Sequence, residues 1–274
     1  MSIVFYNSEY VDLSDVKISP ENRSMNYGDG FFESIKIINS KPFNLSAHYN
    51  RFSLACKTLK MNNTFSKNDI VLIVEQLINK NEIINGILKM HVSRTDGGKY
   101  CPKSSAIYLL ISSSEGGIFD LNNKESLCFY KEEVKSKGKL SNIKSTNALV
   151  YVMSSLFANE KEFSNSILFN SDGNIIETSN SNIFILKDGE LYTPPNSDGC
   201  VEGTMRSWVL SQLKVNKRSL SVSDINNASE IFTTNAINGI ISVDKLEEQS
   251  FSEFDIANKL QARLIELTSE KKNQ

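Results

Sequence analysis

The sequence predicts an α+β fold in two domains. Three observations carry that reading. Short β-rich runs alternate with two amphipathic helical patterns in the first part of the chain, a break rich in Ser, Gly and Asn follows, and a β-rich part with its own helices resumes beyond it. The boundaries fall at 1–112 for the first domain, 113–124 for the linker and 125–274 for the second domain. With 274 residues, 40% of them hydrophobic, the chain is long enough to bury two cores.

The elements follow in chain order. SIKII at 34–38, ILKMHVS at 87–93 and AIYLLI at 106–111 read as strands of a first sheet. Between them, one helix begins at Ser46, an N-cap with Leu45 before it as a staple, and carries Ala47, Phe52, Ala55 and Leu59. A second places Ile70, Ile73, Val74, Leu77 and Ile78 on one face. SSSEGG at 112–117 and DLNNK at 120–124 break the pattern. SLCFYKE then resumes strand character, and Leu149, Val152, Met153 and Leu156 line one face of a further helix. SILFN, NIIE, SNIFIL and ELYTP are short strands punctuated by Asp172-Gly173 and Asp188-Gly189 turns. GTMR at 203–206 opens a helix ending near Leu213, and Ala257, Leu260, Leu264 and Leu267 mark a closing helix with a charged EKKNQ tail.

Composition excludes several function classes. The 30 basic and 32 acidic residues give a net charge of -2 and are scattered, so nucleic acid is not an expected partner. No apolar run approaches the ~20 residues that span a bilayer, and the N-terminus lacks a basic n-region, so a cytoplasmic protein without a membrane partner is expected. The four cysteines, Cys56, Cys101, Cys128 and Cys200, form no CxxC and read as reduced thiols. With His48 and His91 the only histidines, no metal site is expected, and no GxSxG elbow presents a serine nucleophile.

The residues that fit a chemistry are Lys144 and, thirty-three positions later, Glu177 at the head of ETSNSNIF. A Lys can hold an aldehyde cofactor covalently and afterwards move protons on a substrate carbon. A carboxylate at a pyridine nitrogen keeps that ring protonated and able to accept electrons, and the two together are what pyridoxal phosphate (PLP) requires. Taken singly, each reads as an ordinary surface charge. The polar run TSNSN between two apolar strands must find hydrogen-bond partners, of which a polar cofactor is one source. The junction before Thr204 offers free backbone N–H groups to a phosphate, Thr234 and Asn235 follow a strand and offer short polar groups, and Arg51 shares a helix face with His48 as a fixed cation.

Together these segments resemble the class IV aminotransferases, the fold-type IV PLP enzymes, over nearly the whole chain. NYGDGFFESIKI, LSAHYNRF, IKSTNAL and above all ETSNSNIFILKDGELYTPP are similar to that family's motifs. The resemblance implies two α/β domains with PLP in the cleft between them and, usually, a homodimer whose second subunit helps close the site. It makes Lys144 the cofactor-bearing Lys and proton shuttle, Glu177 the partner of the pyridine nitrogen and Arg51 a phosphate ligand. Thr204 and Met205 would give the phosphate backbone N–H groups, with Thr234 and Asn235 on its other side.

The family includes branched-chain and D-amino-acid aminotransferases and 4-amino-4-deoxychorismate lyases, all acting on small amino substrates. Branched-chain members place a Tyr five residues after the PLP Lys, where this chain has Leu149. D-amino-acid members hold the substrate carboxylate with an Arg and a His, where this chain has Lys99 and Cys101. RTDGGKY, NAINGI and EGTMR resemble the lyase segments, with Met205 where aminotransferases usually have Thr. A lyase of folate biosynthesis is therefore the leading expectation, with Lys99 or Arg94 holding a substrate carboxylate. Glu33, common in the aminotransferases, stands on the substrate side where lyases have Thr, and keeps an amino-acid aminotransferase as the alternative. A non-catalytic relative is the third reading, opposed by Lys144, Glu177 and Arg51 all being present.

Overall fold

The computed structural model describes residues 2–120 and 122–269, so the EKKNQ tail lies outside the described residues. The chain divides into two compact units, Met1–Ile118 with Ile143–Asn147, and Phe119–Asn142 with Ala148–Gln274.

In the first unit β1 (Ile3–Tyr6), β2 (Glu9–Asp12), β3 (Gly30–Ile38), β4 (Lys41–Pro42), β5 (Gly86–Arg94) and β6 (Ile107–Glu115) form a sheet in the order β2-β1-β6-β5-β3-β4. The strands read at 34–38 and 87–93 fall inside β3 and β5, and the one read at 106–111 enters β6 from Ile107 onward. Alternation turns Phe31, Ile35, Ile37, Leu88, Met90, Val92, Leu109 and Ile111 to one face. There they are buried with Phe52, Ala55, Ile70, Val74, Leu77 and Ile78 from α2 (Leu45–Thr58) and α3 (Lys67–Lys80). A short α1 (Arg23–Tyr27) precedes β3.

Two local expectations differ from the structure. β6 continues through Ser112, Ser113 and Ser114 to Glu115, because each of those residues is paired along β5, and ladder hydrogen bonds override the weak strand propensity of Ser. The irregular stretch before β7 is correspondingly shorter than 113–124. Ser46 does not cap α2: the helix starts at Leu45, behind Asn44 in the left-handed conformation at φ 54°, which Asn tolerates. Ser46 Oγ instead accepts a 2.8 Å bond from Lys67 Nζ. At α3 the cap is a reciprocal pair, Ser66 and Asp69 each bonding the other's backbone N–H.

The second unit contains β7 (Lys124–Phe129), β8 (Asn165–Phe169), β9 (Ile175–Thr178), β10 (Asn182–Lys187), β11 (Glu190–Thr193), β12 (Asn216–Lys217), β13 (Glu230–Asn235), β14 (Gly239–Leu246) and β15 (Gln249–Ser250). Their order is β12-β11-β10-β13-β14-β7-β8-β9, with β15 on β14. The Asp188-Gly189 pair joins β10 to β11 with φ 52° and 75°, the two left-handed residues that a tight hairpin requires. The helices are α4 (Leu149–Glu160), α5 (Thr204–Gln212), α6 (Val222–Asn226) and α7 (Asp255–Ser269), the last burying Ala257, Leu260 and Leu264.

On α4 the residues Leu149, Val152, Met153 and Leu156 share a face, but that face is exposed; Val150, Tyr151 and Phe157 pack inward against Tyr130, Leu168 and Ile176. Among the described residues no helix is long and apolar enough to cross a membrane, and no group of three or more His, Cys, Asp or Glu could hold a metal ion.

Leu77 is fully buried in the first core, so Leu77→Ala should destabilise the protein by about 2–5 kcal/mol, read as a lower urea midpoint at unchanged slope.

Candidate active site

In the second unit Glu177 lies on β9, next to its last residue, with 3% of its surface exposed. Its Oε1 accepts from Lys135 Nζ at 2.6 Å and Tyr151 OH at 2.8 Å, and its Oε2 accepts from the Val201 backbone N–H at 2.8 Å. Lys135 is in turn held by Ser141 O at 2.8 Å. Burial, together with the adjacent Glu177 charge, pushes the Tyr151 phenol up, so Tyr151 is a proton donor at neutral pH. A buried carboxylate needs hydrogen-bond donors, and three of its acceptor positions are filled by these. Lys135 and Tyr151 are site residues that sequence reasoning missed. Tyr151 carries a partial signal, standing in the first turn of the helix that follows Lys144; Lys135 belongs to no motif and carries none.

The polar run after Glu177 is satisfied largely from within the protein. Asn165 on β8 accepts from the Ser166 and Ser179 N–H groups and from Ser179 Oγ, and donates to Glu125, Thr178 Oγ1 and Asn180 Oδ1. Asn182 donates to Val201 O at 2.9 Å. The run therefore needs less from a cofactor than its composition suggests.

Thr234 is the exception. It is 1% exposed, and its Oγ1 is buried without a hydrogen-bond partner. It stands opposite Asn182 in the β10–β13 register, and α5 packs on β13. The start of α5 has no side-chain cap, and Thr204 and Met205 at its head are buried. The first N–H groups of a helix have no intrahelical acceptor, and the dipole there favours an anion. Gly203 leaves room at this junction for the Asn182 amide, since a Cβ would fall 1.9 Å from Asn182 Oδ1 and displace it. Asn235 differs from Thr234: its Oδ1 accepts from the Ile237 and Asn238 N–H groups and its Nδ2 donates to Ser181 Oγ, so its side chain fixes the following turn.

In the first unit, residues 144–146 pair with the beginning of β3. The Phe32 N–H donates to Lys144 O and the Thr146 N–H to Gly30 O, both at 3.0 Å, around a Phe31–Ser145 bridge. Lys144 is thus opposite Phe32, and its ammonium lies 4.6 Å from that ring's centroid.

On the core face of the same strand Glu33 is fully buried. Arg51 grips it with both ends of the guanidinium fork, Nε to Oε1 at 2.7 Å and Nη2 to Oε2 at 2.5 Å, and His48 Nδ1 meets Oε2 at 2.6 Å. Burial raises the Glu33 pKa, but the Arg51 charge with the His48 and Arg51 hydrogen bonds outweighs it and holds the carboxyl at about 2. For His48, burial outweighs Glu33 and holds the imidazole below its ordinary value, with Arg51 and Lys144 adding to that effect. His48 is therefore neutral and donates to an ionised Glu33.

Glu33 and Arg94, both expected on the substrate side, are engaged inside the unit. Arg94 is buried; its Nε bonds Asp29 at 2.9 Å, and its terminal nitrogens bond Lys60 O at 3.2 Å and Leu59 O at 2.6 Å. Its donors brace the chain instead of facing a substrate. Arg23 shares Asp29 and reaches the carbonyl oxygens of Gly97, Gly98 and Lys99 through one nitrogen, which shapes the RTDGGKY loop. Lys99 itself is exposed on that loop.

The amino-transferase class IV family model matches residues 30–246. The D-alanine aminotransferase of Staphylococcus epidermidis is 22% identical over 259 residues, covering 91% of each chain. The aminodeoxychorismate lyase of Bacillus subtilis is 24% identical over 275 residues, covering 91% of this chain and 88% of its own length. The branched-chain amino acid aminotransferase structure from Escherichia coli superposes with a TM-score of 0.91 at 19% identity, over 98% of this chain and 95% of that one.

Glu33 has a folded value of about 2 against an ordinary 4.5, so the stability it adds is complete above 4.5 and is lost as pH falls towards 2. Glu33→Gln should destabilise by about 3 kcal/mol or more at pH 7, since it leaves Arg51 without its counter-charge. The gap from the wild type should narrow in urea melts taken from pH 5 down to pH 3.

Proposed function

The chain belongs to the class IV aminotransferases and has their fold-type IV architecture, and on that premise we propose that it is a PLP-dependent enzyme acting on a small amino substrate. The observation that carries the cofactor is the Thr234 hydroxyl, buried and unpartnered, on the strand against which the uncapped start of α5 packs. Such an arrangement suits a phosphate, which accepts both from a hydroxyl and from helix N–H groups. Thr234, Thr204 and Met205 would hold the phosphate, with Arg51 as a further cation and Asn235 fixing the turn beside Thr234.

PLP, when bound, supplies an aldehyde for the substrate amine and a ring that draws electrons from the substrate carbon. Glu177, bonded by Lys135, Tyr151 and the Val201 N–H, retains an acceptor position for a protonated ring nitrogen. Lys144 takes and returns the proton at the substrate carbon, from a backbone fixed by its pairing with β3.

Among the reactions of this family, elimination is the leading reading: conversion of 4-amino-4-deoxychorismate to 4-aminobenzoate and pyruvate, in the folate pathway. The loop shaped by Arg23, Met205 at the helix head and the absence of a Tyr at Leu149 support it, as does the likeness to the Bacillus subtilis lyase. Amino-acid transamination is the second reading, supported by Glu33 and by the likeness to the D-alanine aminotransferase. The exposed apolar face of α4, formed by Leu149, Val152, Met153 and Leu156, supports a homodimer.

Purified with PLP, the protein should absorb near the visible edge, and Lys144→Ala should abolish that band; an unaltered spectrum rejects the assignment. Thr234→Val should weaken PLP binding by about three- to tenfold while leaving the melting temperature of the cofactor-free protein unchanged or higher, because it removes an unpaired buried hydroxyl. To separate the reactions, aminodeoxychorismate should yield pyruvate and 4-aminobenzoate. Glutamate formed from D- or L-amino acids and 2-oxoglutarate, without 4-aminobenzoate, establishes the second reading instead.

A further inference from the structure

Five of the chain's six arginines have a carboxylate at ion-pair distance: Arg23 and Arg94 share Asp29, Arg51 holds Glu33, Arg218 holds Asp224 and Arg263 holds Glu266. Among the described residues Arg206 alone has none. It is also deeply buried, with 2% of its surface exposed. Its Nη2 donates to Pro194 O at 2.8 Å, and its Nε reaches Thr193 Oγ1 only at 3.5 Å, while that hydroxyl donates to Ile183 O. The guanidinium thus meets two neutral oxygens and no acid of its own chain.

The place of this charge adds to its cost. Arg206 is the third residue of α5, whose first turn holds no acid and whose start has no side-chain cap. The helix dipole already makes that end positive, so a cation there is opposed. An isolated charge in a protein interior is expensive as well, and a guanidinium does not shed its proton to escape that cost. The Arg206 Cβ lies 3.3 Å from the place a Cβ on Gly203 would take, so the side chain leaves the helix at its uncapped end. Asn182, whose amide lies against the same glycine, stands opposite Thr234 in the β10–β13 register, and Thr234 Oγ1 is buried without a partner.

We propose that Arg206 is a buried positioning cation for a phosphate at the head of α5, supplying charge where Thr204, Met205 and Thr234 supply hydrogen bonds. A guanidinium without an acid, a positive helix end and an unfilled hydroxyl leave this part of the protein short of negative charge, and a dianion restores the balance. Bracing Pro194 O would not by itself call for a charge, since a neutral amide would serve. Arg206 therefore favours the phosphorylated cofactor over pyridoxal, which has the same ring and aldehyde. This rests on the reading of the α5 head as the phosphate site.

The test uses the full chain freed of PLP, with inorganic phosphate as the probe and chloride at equal ionic strength as the control. Phosphate should raise the melting temperature of the wild type and compete with PLP. Arg206→Gln keeps an amide donor for Pro194 O and removes the charge. It should weaken phosphate and PLP about tenfold or more while leaving pyridoxal within about twofold. Arg206→Lys keeps the charge and loses the planar fork, and should hold PLP within about threefold of the wild type. Equal losses for PLP and pyridoxal in Arg206→Gln, or a loss of PLP in Arg206→Lys as large as in Arg206→Gln, makes Arg206 a brace for Pro194 and overturns the inference. A wild type that phosphate does not stabilise overturns it too, whether or not the variants fold. Phosphate binding that depends on Arg206, in a protein that shows no visible band with PLP, rejects the cofactor reading while supporting the buried cation.

Discussion

A carboxylate buried among three donors sets the terms for the second unit. Glu177 is held by an ammonium, a phenol and a backbone N–H, drawn from the segment before Lys144, from α4 and from the stretch ahead of α5. Each donor has its own support: Lys135 is tied to Ser141, Tyr151 is fixed by the packing of α4, and the 194–201 loop is pinned by the Asn142 amide through Asn196 O and Cys200 O. Removing any one would leave a charge in a medium that penalises it. The same environment pushes the Cys200 thiol up to about 12, by burial and by the Glu177 charge, which leaves it an inert neighbour.

The first unit answers to a comparable constraint on a different strand. β3 is used on three sides: its core face carries Glu33 with Arg51 and His48, its polar face carries Phe32 and Lys36, and the backbone of its first residues pairs with residues 144–146. Period-two alternation alone separates the buried ion pair from the cationic surface one residue away. That economy explains why Arg51 holds a carboxylate of its own chain here. A guanidinium with five donors braces Glu33 with two of them.

The sequence makes legible what depends on local pattern. β3, β5 and β6 follow from apolar alternation, α3 from the spacing of Ile70, Val74, Leu77 and Ile78, and the β10–β11 hairpin from Asp188-Gly189. Lys144, Glu177, Thr204 and Thr234 stand out because their flanking motifs do. What escapes is what tertiary pairing decides. Lys135 meets Glu177 across forty-two residues with no motif to mark it, and Arg94 looks like a substrate ligand until Asp29, Leu59 and Lys60 take its donors. The outward face of α4 is of the same kind: helical period identifies a face but not the side on which the core lies.

Arg23 bears on how this protein can diversify. One nitrogen of its guanidinium gathers the carbonyls of Gly97, Gly98 and Lys99, so the loop holds its course by its backbone, and the side chains of Lys99, Tyr100 and Cys101 remain outside that scaffold and exposed. Gly98 is the fixed point, at φ 79° and with only 2.3 Å between a would-be Cβ and Cys101 O. A loop of this construction tolerates exchange at its surface positions without losing its path. The chemistry that the loop presents can then change over generations by substitutions that leave stability nearly untouched, as long as one arginine and one glycine stay in place.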